Sequence, residues 1–312
     1  MTTLDFNLKI SPGNDHTYQV VARAPGGDAS ATMRLSGTSM DFDHQLAVVR
    51  DTVLASSMTV PGAPAADEQV VRDMGRRLFE ALVTDDVRSL YVASGQQARA
   101  QGGGLRLILQ VAPPELARLP WEFVFDPVQQ SYLSLSSSLV RYPEVLAARR
   151  PLQVSAPLRI LGMVARHGDR GGVDDEQRRL RAALAGLERD GLVELSWVAG
   201  QTYRDLANAL ERGPWQVFHF VGRGECDRDS GIGSLAFAAD RGGTHLVGAD
   251  DISLLLAAYH SLRLVLLTSG DSTRTGRAAG AGHRSAADAF SGVAEALVRQ
   301  WIPAVVGMQF DT

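Results

Sequence analysis

The carboxyl-terminal half of this chain alternates short apolar runs with amphipathic ones, and that rhythm leaves few folds open. Runs of strand length fall at 158 to 165, 192 to 198, 215 to 221, 263 to 268 and 303 to 309. Helical patterns at about 174 to 189, 203 to 211, 249 to 258 and 286 to 299 separate them. Strands joined through helices cannot pair as tight hairpins, so they are expected to form a mostly parallel sheet with helices on both faces, an α/β fold. The pattern for 174 to 189 predicts a helix that opens on Asp174-Asp175-Glu176, at the positive end of its dipole. In that helix Leu180, Leu184 and Leu187 share one face, and Gly191 follows as a stop.

The residues upstream read differently. Leu4, Phe6, Leu8 and Ile10 alternate with polar neighbours, and Pro25-Gly26-Gly27-Asp28 separates two further strand-like runs, so a small antiparallel β region of about three strands is expected there. Helices are expected over 43 to 56 and 67 to 83. In the second, Val70, Val71, Met74, Leu78, Phe79 and Leu82 form one apolar stripe. Val60-Pro61-Gly62-Ala63-Pro64 is the linker candidate, and Leu105 to Val111 reads as a strand. The expected organisation is a hairpin and helix region over 1–65, a second segment over 66–150 and the parallel-sheet half over 151–312.

Composition excludes several classes of function. A length of 312 residues with 45% hydrophobic and 21% charged residues fits a globular protein with a substantial core. A net charge of -4 offers no general attraction to nucleic acid or to an acidic membrane surface. No apolar run approaches the roughly 20 residues that span a bilayer. Met1-Thr2-Thr3-Leu4-Asp5 has neither a basic start nor an apolar core, and a single cysteine, Cys226, allows no internal disulfide framework; both favour the cytoplasm. No phosphate-binding glycine motif is present, because Gly222-Arg223-Gly224 lacks the third glycine of a dinucleotide fingerprint. Asp41, Asp43 and His44 are closely spaced, but acidic residues there serve helix capping, so no metal or cofactor is expected.

Several phrases carry a family resemblance. Leu119-Pro120-Trp121-Glu122-Phe123-Val124-Phe125-Asp126, Leu139-Val140-Arg141-Tyr142, Pro157-Leu158-Arg159-Ile160-Leu161, Trp215-Gln216-Val217-Phe218-His219-Phe220 and Leu262-Arg263-Leu264-Val265-Leu266-Leu267 resemble the bacterial CHAT domain family of caspase-like cysteine peptidases. The resemblance runs from about residue 70 to the end. It implies a caspase-like fold whose catalytic half is preceded by a half that carries no site. Trp121 within the first phrase reads as a packed aromatic anchor.

The same resemblance locates the catalytic dyad and finds it altered. Family members look like Gly-His-Gly where this chain has Gly222-Arg223-Gly224, and like Asn-Ala-Cys or Asn-Ser-Cys where it has Thr268-Ser269-Gly270. A dyad needs an ionisable thiol, an imidazole to take its proton and backbone amides to hold the oxyanion. Arginine stays protonated far above neutral pH and cannot act as that base. Glycine has no side chain with which to attack. The expectation is a pseudo-peptidase that binds a peptide or protein partner as regulator or scaffold, through a cleft built from Gly224, Glu225, Gly270 and Asp271. Its bland counterpart is an Arg223 that merely pairs with Glu225, Asp227 or Asp271 on the rim.

Two other classes stay open. In one, Cys226 is a relocated nucleophile with His219 or His283 as base, although mid-strand His219 reads as a core histidine and His283 lies in a Gly/Ala loop. In the other, the carboxyl ends of the strands bind a small ligand. Finally, Pro303 to Phe310 reads as a core strand two residues before the last, where family members continue with helix. A trimmed form, or a partner such as a second copy covering this end, is expected.

Overall fold

The computed structural model of the chain describes residues 3–15, 17–35, 48–49, 52, 68–117, 119–142, 155–165, 170–227, 232–269 and 286–308. Most of the expected 43 to 56 helix, the linker candidate, Asp41, Asp43 and His44 lie outside these residues, as do Gly270, Asp271 and His283. The chain divides into two compact units, Met1–Val145 and Leu146–Thr312.

In the first unit, strands β1 (Thr3–Pro12), β2 (Tyr18–Ala24) and β3 (Gly27–Met33) pair antiparallel as the alternation predicts. They do not stop at three strands. Helices α1 (Glu68–Leu82) and α2 (Asp85–Ala100) precede β4 (Gly104–Val111), which pairs parallel to β1 with Phe6 opposite Leu107 and Leu8 opposite Leu109. With β7 (Ser138–Arg141) the sheet order is β3-β2-β1-β4-β7, which makes β1 its central strand. Phe6, Leu8, Ile10, Leu105, Leu107 and Leu109 are buried with Leu78, Phe79 and Leu82 of α1 and Val87 and Tyr91 of α2. Val70 departs from the expected stripe and is exposed, whereas Val71 and Met74 are buried.

The Leu-Pro-Trp-Glu phrase is a built corner of this unit. Trp121 is fully buried and its indole Nε1 donates to the Leu116 carbonyl at 2.9 Å. Arg141 donates to the carbonyls of Ala117 (2.7 Å) and Leu119 (2.8 Å) and to Glu122 (2.7 Å), satisfying backbone acceptors that no ladder reaches. Helix α1 lies so close to this corner that a Cβ on Gly75 would overlap the Phe123 carbonyl oxygen. The unit also holds two one-turn helices, α3 (Pro114–Ala117) and α4 (Leu133–Ser136), and strands β5 (Phe125–Asp126) and β6 (Ser131–Tyr132) form a short hairpin beside the corner.

In the second unit, β8 (Leu158–Ala165), β9 (Val193–Trp197), β10 (Val217–Gly222), β14 (Leu264–Ser269) and β15 (Ala304–Gly307) form an all-parallel sheet in the order β15-β14-β10-β8-β9. The connecting helices are α5 (Arg170–Arg189), α6 (Tyr203–Leu210), α7 (Ala249–Ala257) and α8 (Ala286–Arg299). The chain moves one way across the sheet from β8 to β9 and the other way from β10 to β14 to β15. Right-handed crossovers therefore put α5 on the face opposite α7 and α8. Leu161, Met163, Phe218, Phe220, Val265 and Leu267 pack against Leu206, Leu210, Ile252, Leu256, Val293 and Leu297 on the α6, α7 and α8 side.

Three expectations need correction here. Helix α5 starts at Arg170 rather than Asp174, so the acidic residues fall after its first turn; Gly171 and Gly172, poor helix formers, mask the true start in the sequence. Leu187 departs from the expected shared face: it is exposed, whereas Leu180 and Leu184 are half-buried. The last strand is an edge rather than a core strand, with Val306 58% exposed, because no further strand among the described residues covers β15.

A second, antiparallel sheet interrupts the α/β alternation between β10 and β14. Strands β11 (Gly224–Cys226), β12 (Gly233–Ala238) and β13 (Thr244–Gly248) pair in that order. The alternation reading does not contain it, although Leu235 and Phe237 flanked by the Asp240-Arg241-Gly242-Gly243 turn carry its signal.

Candidate functional site

The two positions at which the family resemblance puts the dyad follow neighbouring strands in the sequence. Strand β10 pairs with β14 so that Val221 stands opposite Thr268 and Gly222 opposite Ser269. Arg223 is the next residue after β10, at the carboxyl end where open parallel sheets hold their functional groups, while Gly270, next after Ser269 in the sequence, lies outside the described residues. On its other side β10 pairs with β8, Gly222 opposite Ala165.

Gly222 is required for the turn. A Cβ there would lie 2.6 Å from the Phe220 ring and 3.0 Å from the Ala165 carbonyl oxygen. Phe220 folds back beneath the turn and meets Phe237 of β12 (ring centroids 5.4 Å), which meets Tyr203 of α6 edge-on (5.7 Å). This aromatic stack ties the antiparallel insert to the parallel sheet.

Arg223 is solvent-facing, and its guanidinium Nη2 is paired with Glu225. Residues two apart on an extended segment share a face, so this pairing follows from the sequence spacing. Gly224 is buried and Glu225 half-buried. Arg223 accepts the Ala236 N–H (2.9 Å) on its carbonyl, and Asp227 donates its N–H to the Ile232 carbonyl (3.0 Å). Gly224 therefore faces Leu235 at a non-hydrogen-bonded position of the ladder, and its own N–H turns away from β12.

His219 is a core histidine, 6% exposed, on the sheet face shared with Val217 and Val221. Thr268 Oγ1 donates to the Phe220 carbonyl (3.2 Å), so its one proton is committed and it accepts from His219 Nε2–H (3.0 Å). That nitrogen is a donor and cannot at the same time act as a base. Sequence reasoning finds His219 but not its link to Thr268, because the link depends on register. Cys226 is half-buried on β11 and its Sγ lies 3.7 Å from the Asp227 carbonyl, an S–H donor contact.

Elsewhere in this unit, a cavity of about 360 Å³ is lined by Thr202, Tyr203, Arg204, Asp240, Thr244 and His245 among others. Asp205 closes a capping box with Thr202: the Thr202 N–H (2.9 Å) and hydroxyl (2.7 Å) both donate to its carboxylate. Those hydrogen bonds, the hydroxyl's first, hold the Asp205 carboxyl below its ordinary value. Among the described residues no group of three or more His, Cys, Asp or Glu could hold a metal ion, and no helix is long and apolar enough to cross a membrane.

A family model described as CHAT domain matches residues 72–312 of the chain. No curated protein matches it.

Proposed function

The chain belongs to the CHAT domain family, and from that premise we propose that it is a pseudo-peptidase which holds a peptide or protein segment without cutting it. The observation that carries this reading is the Arg223–Glu225 ion pair at the carboxyl end of β10, where the family resemblance puts the general base. A guanidinium bound to a carboxylate takes no proton near neutral pH. Gly270, at the nucleophile position, offers no atom for attack. Loss of either member of a coupled dyad removes most of its acceleration, and here both are replaced.

In this reading the protein is a regulator or scaffold of the cytoplasm, with a polypeptide partner and, through its exposed β15 edge, a second copy as a further partner. The amino-terminal 1–65 segment and residues 66–150 carry no catalytic group, and 151–312 holds the cleft. In this reading Cys226 does not replace the lost nucleophile: His219 is buried in the sheet core and its Nε2 is held by Thr268, so that nitrogen does not serve the thiol as a base.

The test is labelling by a thiol-reactive peptidyl probe. The native chain is expected to remain unlabelled at Cys226 when folded, and fold-dependent labelling there would overturn the reading. Arg223→His combined with Gly270→Cys is expected to gain labelling that neither single change produces, since the strands that frame the turns are retained.

A further inference from the structure

We propose that the Arg223 turn is a receptor for a peptide carboxylate, in an arrangement where Glu225 occupies it until a ligand arrives. The inference rests on the reading of this site as a polypeptide-binding cleft without chemistry, and it names what the cleft recognises.

The location is the one the fold opens. The chain leaves β8 outward to β9 and returns past it to β10, so the strand order reverses between β8 and β10, and open α/β sheets place their ligand sites at the carboxyl ends of such a pair. Gly222 is the last residue of β10, and Arg223 follows it at that end of the sheet with a side chain 62% exposed.

The donors are arranged for an anion with two oxygens. Guanidinium is a planar fork that matches a carboxylate, and only Nη2 of Arg223 is engaged by Glu225. Its Nε and Nη1 have no protein acceptor among the described residues. The next backbone N–H, on Gly224, is turned away from β12 by the ladder register, and β11 is the edge strand of its sheet. Guanidinium N–H groups left uncommitted on Nε and Nη1 and an unladdered N–H on consecutive residues are what a carboxylate needs and what an imidazole base would not supply.

The bond to Glu225 shows that this guanidinium takes a carboxylate, and it is exchangeable. Exposed ion pairs contribute little, about 0–1 kcal/mol, so a ligand carboxylate that also gains the Gly224 amide displaces Glu225 at small cost. Two sources offer that chemistry: the carboxyl terminus of a peptide, and an Asp or Glu side chain within one.

The experiment uses fluorescence anisotropy of the whole chain with three sets of fluorescein-labelled hexapeptides. They are randomised over uncharged residues at the first five positions and end in Ala with a free carboxylate, in Asp amide, or in Ala amide. One or both acidic sets are expected to bind at least about tenfold tighter than Ala amide, the scale of one charge-assisted hydrogen-bonded pair. Whichever acidic set leads identifies the source. Arg223→Gln, at an exposed position that leaves the fold intact by circular dichroism, is expected to erase the preference, and Glu225→Gln to strengthen the acidic sets several-fold.

Equal binding of all three sets, a preference that survives Arg223→Gln, or no gain from Glu225→Gln would overturn the carboxylate receptor and leave the polypeptide-binding reading standing. Absence of binding by every set would overturn both.

Discussion

Replacing Thr268 with valine tests the link between the two strands that carry the site. The change keeps shape and strand preference but deletes the hydroxyl that accepts from His219 Nε2–H and donates to the Phe220 carbonyl. His219 is 6% exposed, so its Nε2–H loses the Thr268 acceptor in the interior. A buried donor stranded in this way costs about 1–3 kcal/mol, while exchanging both partners for apolar groups of similar shape is nearly neutral. Thr268→Val is therefore expected to lose about 2 kcal/mol in the native background and well under 1 kcal/mol in a His219→Leu background. Urea denaturation followed by far-ultraviolet circular dichroism measures all four corners of the cycle. Thr268→Ser, which keeps the hydroxyl, is expected to stay close to the native chain. A coupling energy below about 0.3 kcal/mol, with Thr268→Val costing the same with and without the imidazole, would refute the argument.

Three other changes have signs set by the structure. Gly75→Ala would gain about 1 kcal/mol on helix propensity alone. The Cβ overlap with the Phe123 carbonyl should reverse that, for a net loss of at least about 2 kcal/mol by calorimetry; a gain would deny the close approach of α1 to its corner. Gly162→Ala puts a Cβ 2.6 Å from two atoms of the Trp197 ring, so a loss of about 1–3 kcal/mol and altered tryptophan emission are expected, and unchanged emission would count against it. Asp205→Asn is expected to cost about 1 kcal/mol at neutral pH through the capping box. Because the folded carboxyl lies below its unfolded value, that stabilisation is full above about pH 4 and lost as pH falls through the folded value, so the two chains should converge in acid. A pH-independent difference would assign the effect elsewhere.

The parallel sheet was legible in the sequence chiefly through its middle strand: Val217 to Gly222 is buried at every residue and reads as an unbroken apolar run. Strand order was less legible. Alternation in β1 shows which side chains face inward but not that the partner is β4, about a hundred residues on. The antiparallel insert escaped because β11 is three residues long and β12 is built from small residues around Leu235 and Phe237. At the site, the strand ends and the Arg223–Glu225 spacing could be read locally. The His219–Thr268 bond and the direction of the Gly224 N–H could not, since both arise from pairing between segments.

The place of β1 in the first sheet carries a practical consequence. The family match begins at residue 72, inside α1, yet the middle strand of the sheet below that helix comes from residues 3–12. A fragment cut to the matched segment would lose its keystone: β4 would present an unpaired edge with Leu105, Leu107 and Leu109 stripped of the neighbours that share their core. Such an edge recruits strands from other molecules, so that fragment is expected to precipitate or exchange strands where the whole chain does not. The physical unit of folding is thus longer than the segment by which its kinship is recognised.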